Sequence, residues 1–184
     1  MHVLLLTLVL GLVCADQEPT SGNHQPWTLG INLFAISGDW YSGLKAADDV
    51  NMIRENGPLR IYVRRLQCSD ICETINADFY SKVNGTCQSH TLALRKTENG
   101  IYEADFQGKT HLQVSFSLRD ILKIYGDHTT ADGKKTVFTE LLVKRRDISK
   151  EEYEEFKVFT ESKGITAENI LEVIKEDTCP LTIG

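Results

Sequence analysis

The stretch of residues 74–96, TINADFYSKVNGTCQSHTLALRK, decides the fold. Ala77 and Phe79 alternate with Asn76, Asp78 and Tyr80. That period of two sets one face of a strand on an apolar core and the other in water. Asn84-Gly85 divides the stretch. The dipeptide favours a tight hairpin turn, whose two central residues need positive φ. Residues 74–83 and 86–96 are therefore expected as neighbouring antiparallel strands.

The same signature repeats on both sides. Residues 40–47, 59–67, 101–106, 110–116, 120–125 and 135–144 read as further strands. Gly57-Pro58, a second Asn-Gly pair at Asn99-Gly100, Gly108 and Asp132-Gly133 mark the turns between them. Leu59, Ile61 and Val63 alternate with Arg60, Tyr62 and Arg64, and Ala104 and Phe106 with Glu103 and Asp105. Residues 48–56 connect two strands and include a helical turn. The expectation is an all-β, antiparallel sheet of about eight strands, large enough to close into a barrel. A sandwich produces a similar pattern, so alternation alone leaves both architectures open.

After the strands the period changes. Ser149 precedes Lys150, Glu151 and Glu152, a helix-start signal with acid near the positive end of the helix dipole. Tyr153, Phe156 and Phe159 recur at helical spacing, and Gly164 fits a C-terminal cap. One amphipathic helix is expected outside the sheet.

Before the strands, residues 1–15 read as a secretory signal peptide, with an apolar run and Val13-Cys14-Ala15 before the cut. The mature chain then starts at Asp16 and is secreted to the extracellular space. Residues 16–36 form a lead-in that ends in an apolar series from Trp27 to Ile36. Cleavage removes Cys14 and leaves Cys68, Cys72, Cys87 and Cys179. An even count in a secreted chain reads as two disulfides, with three pairings open.

Several function classes fall away. The formal charge is -6, which repels polyanions and argues against nucleic acid. The basic runs Arg64-Arg65 and Lys144-Arg145-Arg146 read as solvated faces. Beyond the leader no stretch reaches the roughly 20 apolar residues of a membrane span. There is no G-x-S-x-G, no phosphate-cradling glycine loop, no H-E-x-x-H and no C-x-x-C, so neither catalysis, cofactor nor metal is expected. Asp48-Asp49 and Glu151-Glu152 read as a solvated loop and a helix start. Asn84-Gly85-Thr86 is the one N-x-[ST] sequon of the mature chain. Asn84 is a candidate for glycosylation at a hairpin tip, against the reading that its Asn-Gly merely makes the turn.

Three motifs carry a family resemblance. Gly38-Asp39-Trp40 resembles the lipocalin G-x-W motif, and Cys68-Ser69-Asp70-Ile71-Cys72 resembles a C-x-x-x-C found in several mammalian odorant-binding proteins. Residues 102–108 resemble the Y-x-x-x-Y-x-G signature of that subgroup, with Phe106 in place of the second Tyr. Residues 37–180 thus resemble a lipocalin domain of the odorant-binding, aphrodisin-like subgroup, with 181–184 as a tail. The resemblance implies an eight-stranded up-and-down barrel with one C-terminal helix outside and a cavity inside. It also implies pairing of Cys87 with Cys179 and of Cys68 with Cys72. Trp40, following Gly38, would plug the closed end, with Lys144 stacked across it.

The implied function is that of a carrier for small hydrophobic volatile ligands, odorants or pheromones. The alternative class is a signalling protein or a lipocalin-type enzyme, the latter needing a reactive thiol or other nucleophile at the pocket. A homodimer and a receptor are left open. Alternation and resemblance together place Leu59, Ile61, Val63, Ala77, Phe79, Ala104, Phe106, Leu112, Ile124 and Phe138 on the cavity. Counting in twos along the last strand adds Glu140, with Phe138, Leu142 and Lys144 on the same face. Glu140 departs from the resemblance. A carboxylate in an apolar cavity is costly when charged unless a cation or water reaches it, and a β-bulge would turn it out to solvent.

Overall fold

The computed structural model describes residues 36–97, 99–118 and 120–183. The expected signal peptide (1–15), the lead-in up to residue 35 and Gly184 lie outside the described residues. Among the described residues nine strands form one antiparallel sheet. They are β1 (Gly38–Asp39), β2 (Tyr41–Ala47), β3 (Ile61–Ser69), β4 (Thr74–Val83), β5 (Thr86–Lys96), β6 (Tyr102–Asp105), β7 (Lys109–Leu118), β8 (Ile121–Thr129) and β9 (Lys135–Val143). Nine stand where eight were expected because the first strand is broken at Trp40. Its short half β1 pairs with β3, while β2 pairs with β9. One run of chain thus joins the two edges of the sheet, and that closes the barrel. The Trp40 N–H donates to the Arg64 carbonyl at 3.0 Å across the seam. Gly38 leads into this break with φ of +130°, a conformation that favours glycine.

The hairpin of residues 74–96 has the expected limits and register, from Thr74↔Arg95 to Val83↔Thr86 around Asn84-Gly85. Other boundaries moved. β8 runs to Thr129 instead of 125, since Gly126 does not end the strand. It admits the neighbouring backbone, because a Cβ there would sit 2.4 Å from the His111 carbonyl oxygen. Leu59 precedes β3, Phe106 follows β6, and Lys144 lies one residue past β9.

Two apolar layers cover the sheet. The inner one fills the barrel, from Trp40, Leu66 and Ile75 to Phe79 and Phe138. The outer one lies under helix α1 (Lys150–Ser162), where Phe156 meets Leu44, Ala46, Ile121, Leu141 and Val143. Ser149 and Glu152 form a reciprocal capping box, worth about 1 kcal/mol. Burying Phe156 adds roughly 1.5–3 kcal/mol, so the helix docks mainly through its apolar stripe.

The C-terminal segment crosses the outside of the barrel and is tied down three ways. Cys87 is bonded to Cys179, and Cys68 to Cys72. Leu171 exchanges two backbone hydrogen bonds with Lys45, beside β2. Two arginines hold the rest. Arg60 meets Glu176 at 2.6 Å and Arg64 meets Asp177 at 2.8 Å. The solvated reading of Arg64-Arg65 therefore holds for Arg65 alone. Arg64 is buried because the tail lies over it and supplies Asp177 and the Pro180 carbonyl, which accepts from Nε at 2.6 Å.

Candidate ligand cavity

A cavity of ≈ 100 Å³ lies inside the barrel. Leu59, Ile61, Val63, Ala77, Phe79, Ala104, Phe106, Leu112, Ile124, Phe138 and Glu140 all line it. Phe79 and Phe106 meet edge to face with centroids 5.0 Å apart, and His90 packs on both. His90 is held by Ser81 Oγ at 2.8 Å. These rings stiffen one wall. At the other end Trp40 is fully buried and donates from Nε1 to the Ile36 carbonyl at 2.6 Å. The Lys144 ammonium lies 4.9 Å from its ring centroid. The Trp40 ring thus joins the inner apolar layer and carries Lys144 on its face.

Further side chains belong to the same surface: Leu66, Ile75, Leu92, Leu94, Val114, Leu122 and Leu142. Extending the period of two along the same strands reaches most of them, since Ile75 precedes Ala77 and Leu142 follows Glu140 by two. Lys45 is different. Counting in twos from Trp40 puts Ser42, Leu44 and Ala46 inside and Lys45 outside. The structure has a bulge between Ser42 and Leu44, which inserts one residue and reverses every later side chain. Trp40 and Ser42 face in, Leu44 and Ala46 face the helix, and Lys45 points into the cavity. Gly43 sits at the bulge because a Cβ there would come within 2.7 Å of Ile148 and 3.1 Å of the Leu141 carbonyl.

Lys45 meets Glu140. The register sets the two residues opposite each other on β2 and β9, and Lys45 Nζ lies 2.8 Å from Glu140 Oε2. Glu140 is 4% and Lys45 2% exposed. The bulge is therefore on β2, not on β9, and it brings a cation to Glu140 instead of turning Glu140 out. Ser42 Oγ donates to Glu140 Oε1 at 2.8 Å and accepts from the Val63 N–H at 3.1 Å. Burial pushes the Lys45 ammonium below the usual lysine range; Glu140 opposes that shift and Arg60 adds to it. The polar lining side chains are Lys45, Glu140 and Thr110. An otherwise apolar chamber thus carries one charged spot on its wall. Among the described residues no group of three or more His, Cys, Asp or Glu is placed to hold a metal ion.

Comparison with known proteins gives a consistent picture. The profile of the lipocalin / cytosolic fatty-acid binding protein family matches residues 37–177. A female-specific lacrimal gland protein of Mesocricetus auratus is 34% identical over 177 residues, 96% of each chain. The crystal structure of aphrodisin, a sex pheromone from female hamster, superposes with a TM-score of 0.76 at 32% identity, covering 79% of this chain and 99% of that one. A complex of bovine odorant-binding protein with undecanal superposes at 0.57 and 29% identity, covering 79% of this chain and 93% of the other.

Proposed function

The chain belongs to the lipocalin / cytosolic fatty-acid binding protein family, and we propose that it is an extracellular carrier that takes small apolar odorants or pheromones into the barrel. The observation that carries this reading is the cavity inside the barrel, whose lining is apolar except at Lys45, Glu140 and Thr110. Removing apolar ligand surface from water drives entry. A cavity of about 150 Å³ accepts benzene; at ≈ 100 Å³ this one is smaller, so a single ring or short chain enters as the lining side chains shift. About ten heavy atoms at roughly -0.7 kcal/mol each give about -7 kcal/mol, near 10 μM. That affinity suits delivery and release. The bovine relative holding undecanal, an aldehyde, supports a ligand with an oxygen at one end. The relative named for the lacrimal gland supports secretion. Binding without turnover fits this lining better than the enzyme alternative built on a thiol, because all four described cysteines are in disulfides.

An apolar fluorescent probe should bind one per chain, and small odorants should displace it. Val63→Trp and Ala104→Trp place a large ring where two buried, cavity-facing side chains now leave space. Each is expected to weaken probe binding at least about tenfold, ~1.4 kcal/mol, while the barrel persists. Wild-type affinity in both variants would move the ligand out of this cavity.

A further inference from the structure

Lys45 has the surroundings of a reactive amine. It is a primary amine almost fully shielded from water, on the wall of an apolar cavity. Its partner Glu140 stands 2.8 Å away, close enough to pass a proton. Ser42 fixes the other carboxylate oxygen, so Glu140 is held in place. Desolvation of a lysine in an apolar pocket favours its neutral form, which is how such side chains become nucleophiles toward carbonyl carbon. Burial acts on Lys45 in that direction.

We propose that Lys45 captures aldehyde ligands as a reversible imine inside the barrel, with Glu140 as the proton carrier. The inference rests on the carrier reading above. The step balances without any oxidant or reductant. Glu140 takes a proton from the Lys45 ammonium, and the freed lone pair forms a C–N bond to the aldehyde carbon. The carbonyl π pair moves to oxygen, which takes a proton from the newly bonded, cationic nitrogen to give a neutral carbinolamine, while Glu140 keeps the proton it took. The hydroxyl group then leaves as water with the proton returned by Glu140, and the nitrogen lone pair forms the C=N bond. Aldehyde plus ammonium gives iminium plus one water, and the iminium keeps Glu140 as its counter-ion. The apolar walls work in the same direction, because a dry chamber slows the return of the water that hydrolysis needs. Ketones are more crowded at the carbonyl carbon, and alcohols have no carbonyl. Both would bind without the covalent step, so the site would sort ligands by functional group after the barrel has sorted them by size.

The test uses the purified full chain with hexanal, hexanol and sodium cyanoborohydride, which reduces an iminium to a stable amine. Intact mass should show one hexyl group per chain with hexanal and none with hexanol, and peptide mapping should place it on Lys45. Excess apolar probe should block it, and the double variant Lys45→Met/Glu140→Gln should lose it. Mapping and blocking are done on wild type, so they stand even if that variant folds poorly. If hexanal displaces the probe but no alkyl group forms at Lys45, the imine is wrong and the carrier reading survives. If neither probe nor hexanal binds, both readings fall.

Discussion

Replacing Glu140 by Leu in the presence of Lys45 should cost about 3–5 kcal/mol of stability, the loss that follows when one member of a buried ion pair is removed. The cause is the charge left behind. Lys45 is 2% exposed, and its ammonium would face an apolar cavity with no carboxylate beside it. Ser42 would lose its acceptor in the same step. Lys45→Met alone strands the Glu140 carboxylate and should cost a similar amount. The double variant Lys45→Met/Glu140→Leu removes both charges and fills the space with apolar atoms. Replacing a whole buried pair in this way is neutral or stabilising by about 1–4 kcal/mol in other proteins, so stability should return to wild type or exceed it. Urea unfolding of the four proteins gives the coupling directly. Single variants within about 0.5 kcal/mol of wild type would mean that water reaches the pair.

Breaking the long disulfide should produce the second large effect. Cys87 and Cys179 are 92 residues apart in sequence, whereas Cys68 and Cys72 are four apart. The chain-entropy model assigns about 4.6 kcal/mol to the first loop and roughly 2 to the second. Cys87→Ser/Cys179→Ser should therefore destabilise the barrel by more than Cys68→Ser/Cys72→Ser, by about 2–3 kcal/mol. The ion pairs of Arg60 with Glu176 and Arg64 with Asp177 keep the tail beside the barrel when the bond is absent. They will lower the observed loss, but they do not act on the Cys68–Cys72 loop. Equal losses in the two variants would show that the tail is held by its arginines and that the long bridge contributes little.

The strands and the lining were legible because one physical rule governs both, while closure into a barrel came from the family resemblance, since alternation alone fits a sandwich as well. A strand with water on one side and a chamber on the other must alternate, and Val63, Ala77, Phe79, Ala104 and Phe138 lie on the cavity face that this rule assigns them. The rule failed where the backbone inserts a residue. The bulge after Ser42 depends on Gly43 packing against Ile148 and Leu141. Those contacts are distant in sequence and invisible to a local pattern. Simple alternation from Trp40 would turn Lys45 outward, so the sequence named no partner for Glu140 beyond the condition that a cation or water reach it. The burial of Arg64 escaped for a similar reason. It sits on the outer face as alternation requires, but the tail that covers it comes from Asp177 to Pro180, more than a hundred residues away. Period gives the face of a strand; it does not say what will lie over that face.

The most direct test of the carrier account is to locate a bound ligand. A crystal soaked with a small brominated aromatic compound should show one bromine anomalous peak per chain, inside the barrel and bounded by Val63, Ala104, Ile124 and Phe138. The Trp40–Lys144 end should remain closed beneath it. A peak on the outer surface, or none at a concentration well above the roughly 10 μM affinity expected for such a ligand, would contradict the account and leave the barrel interior as a packed core.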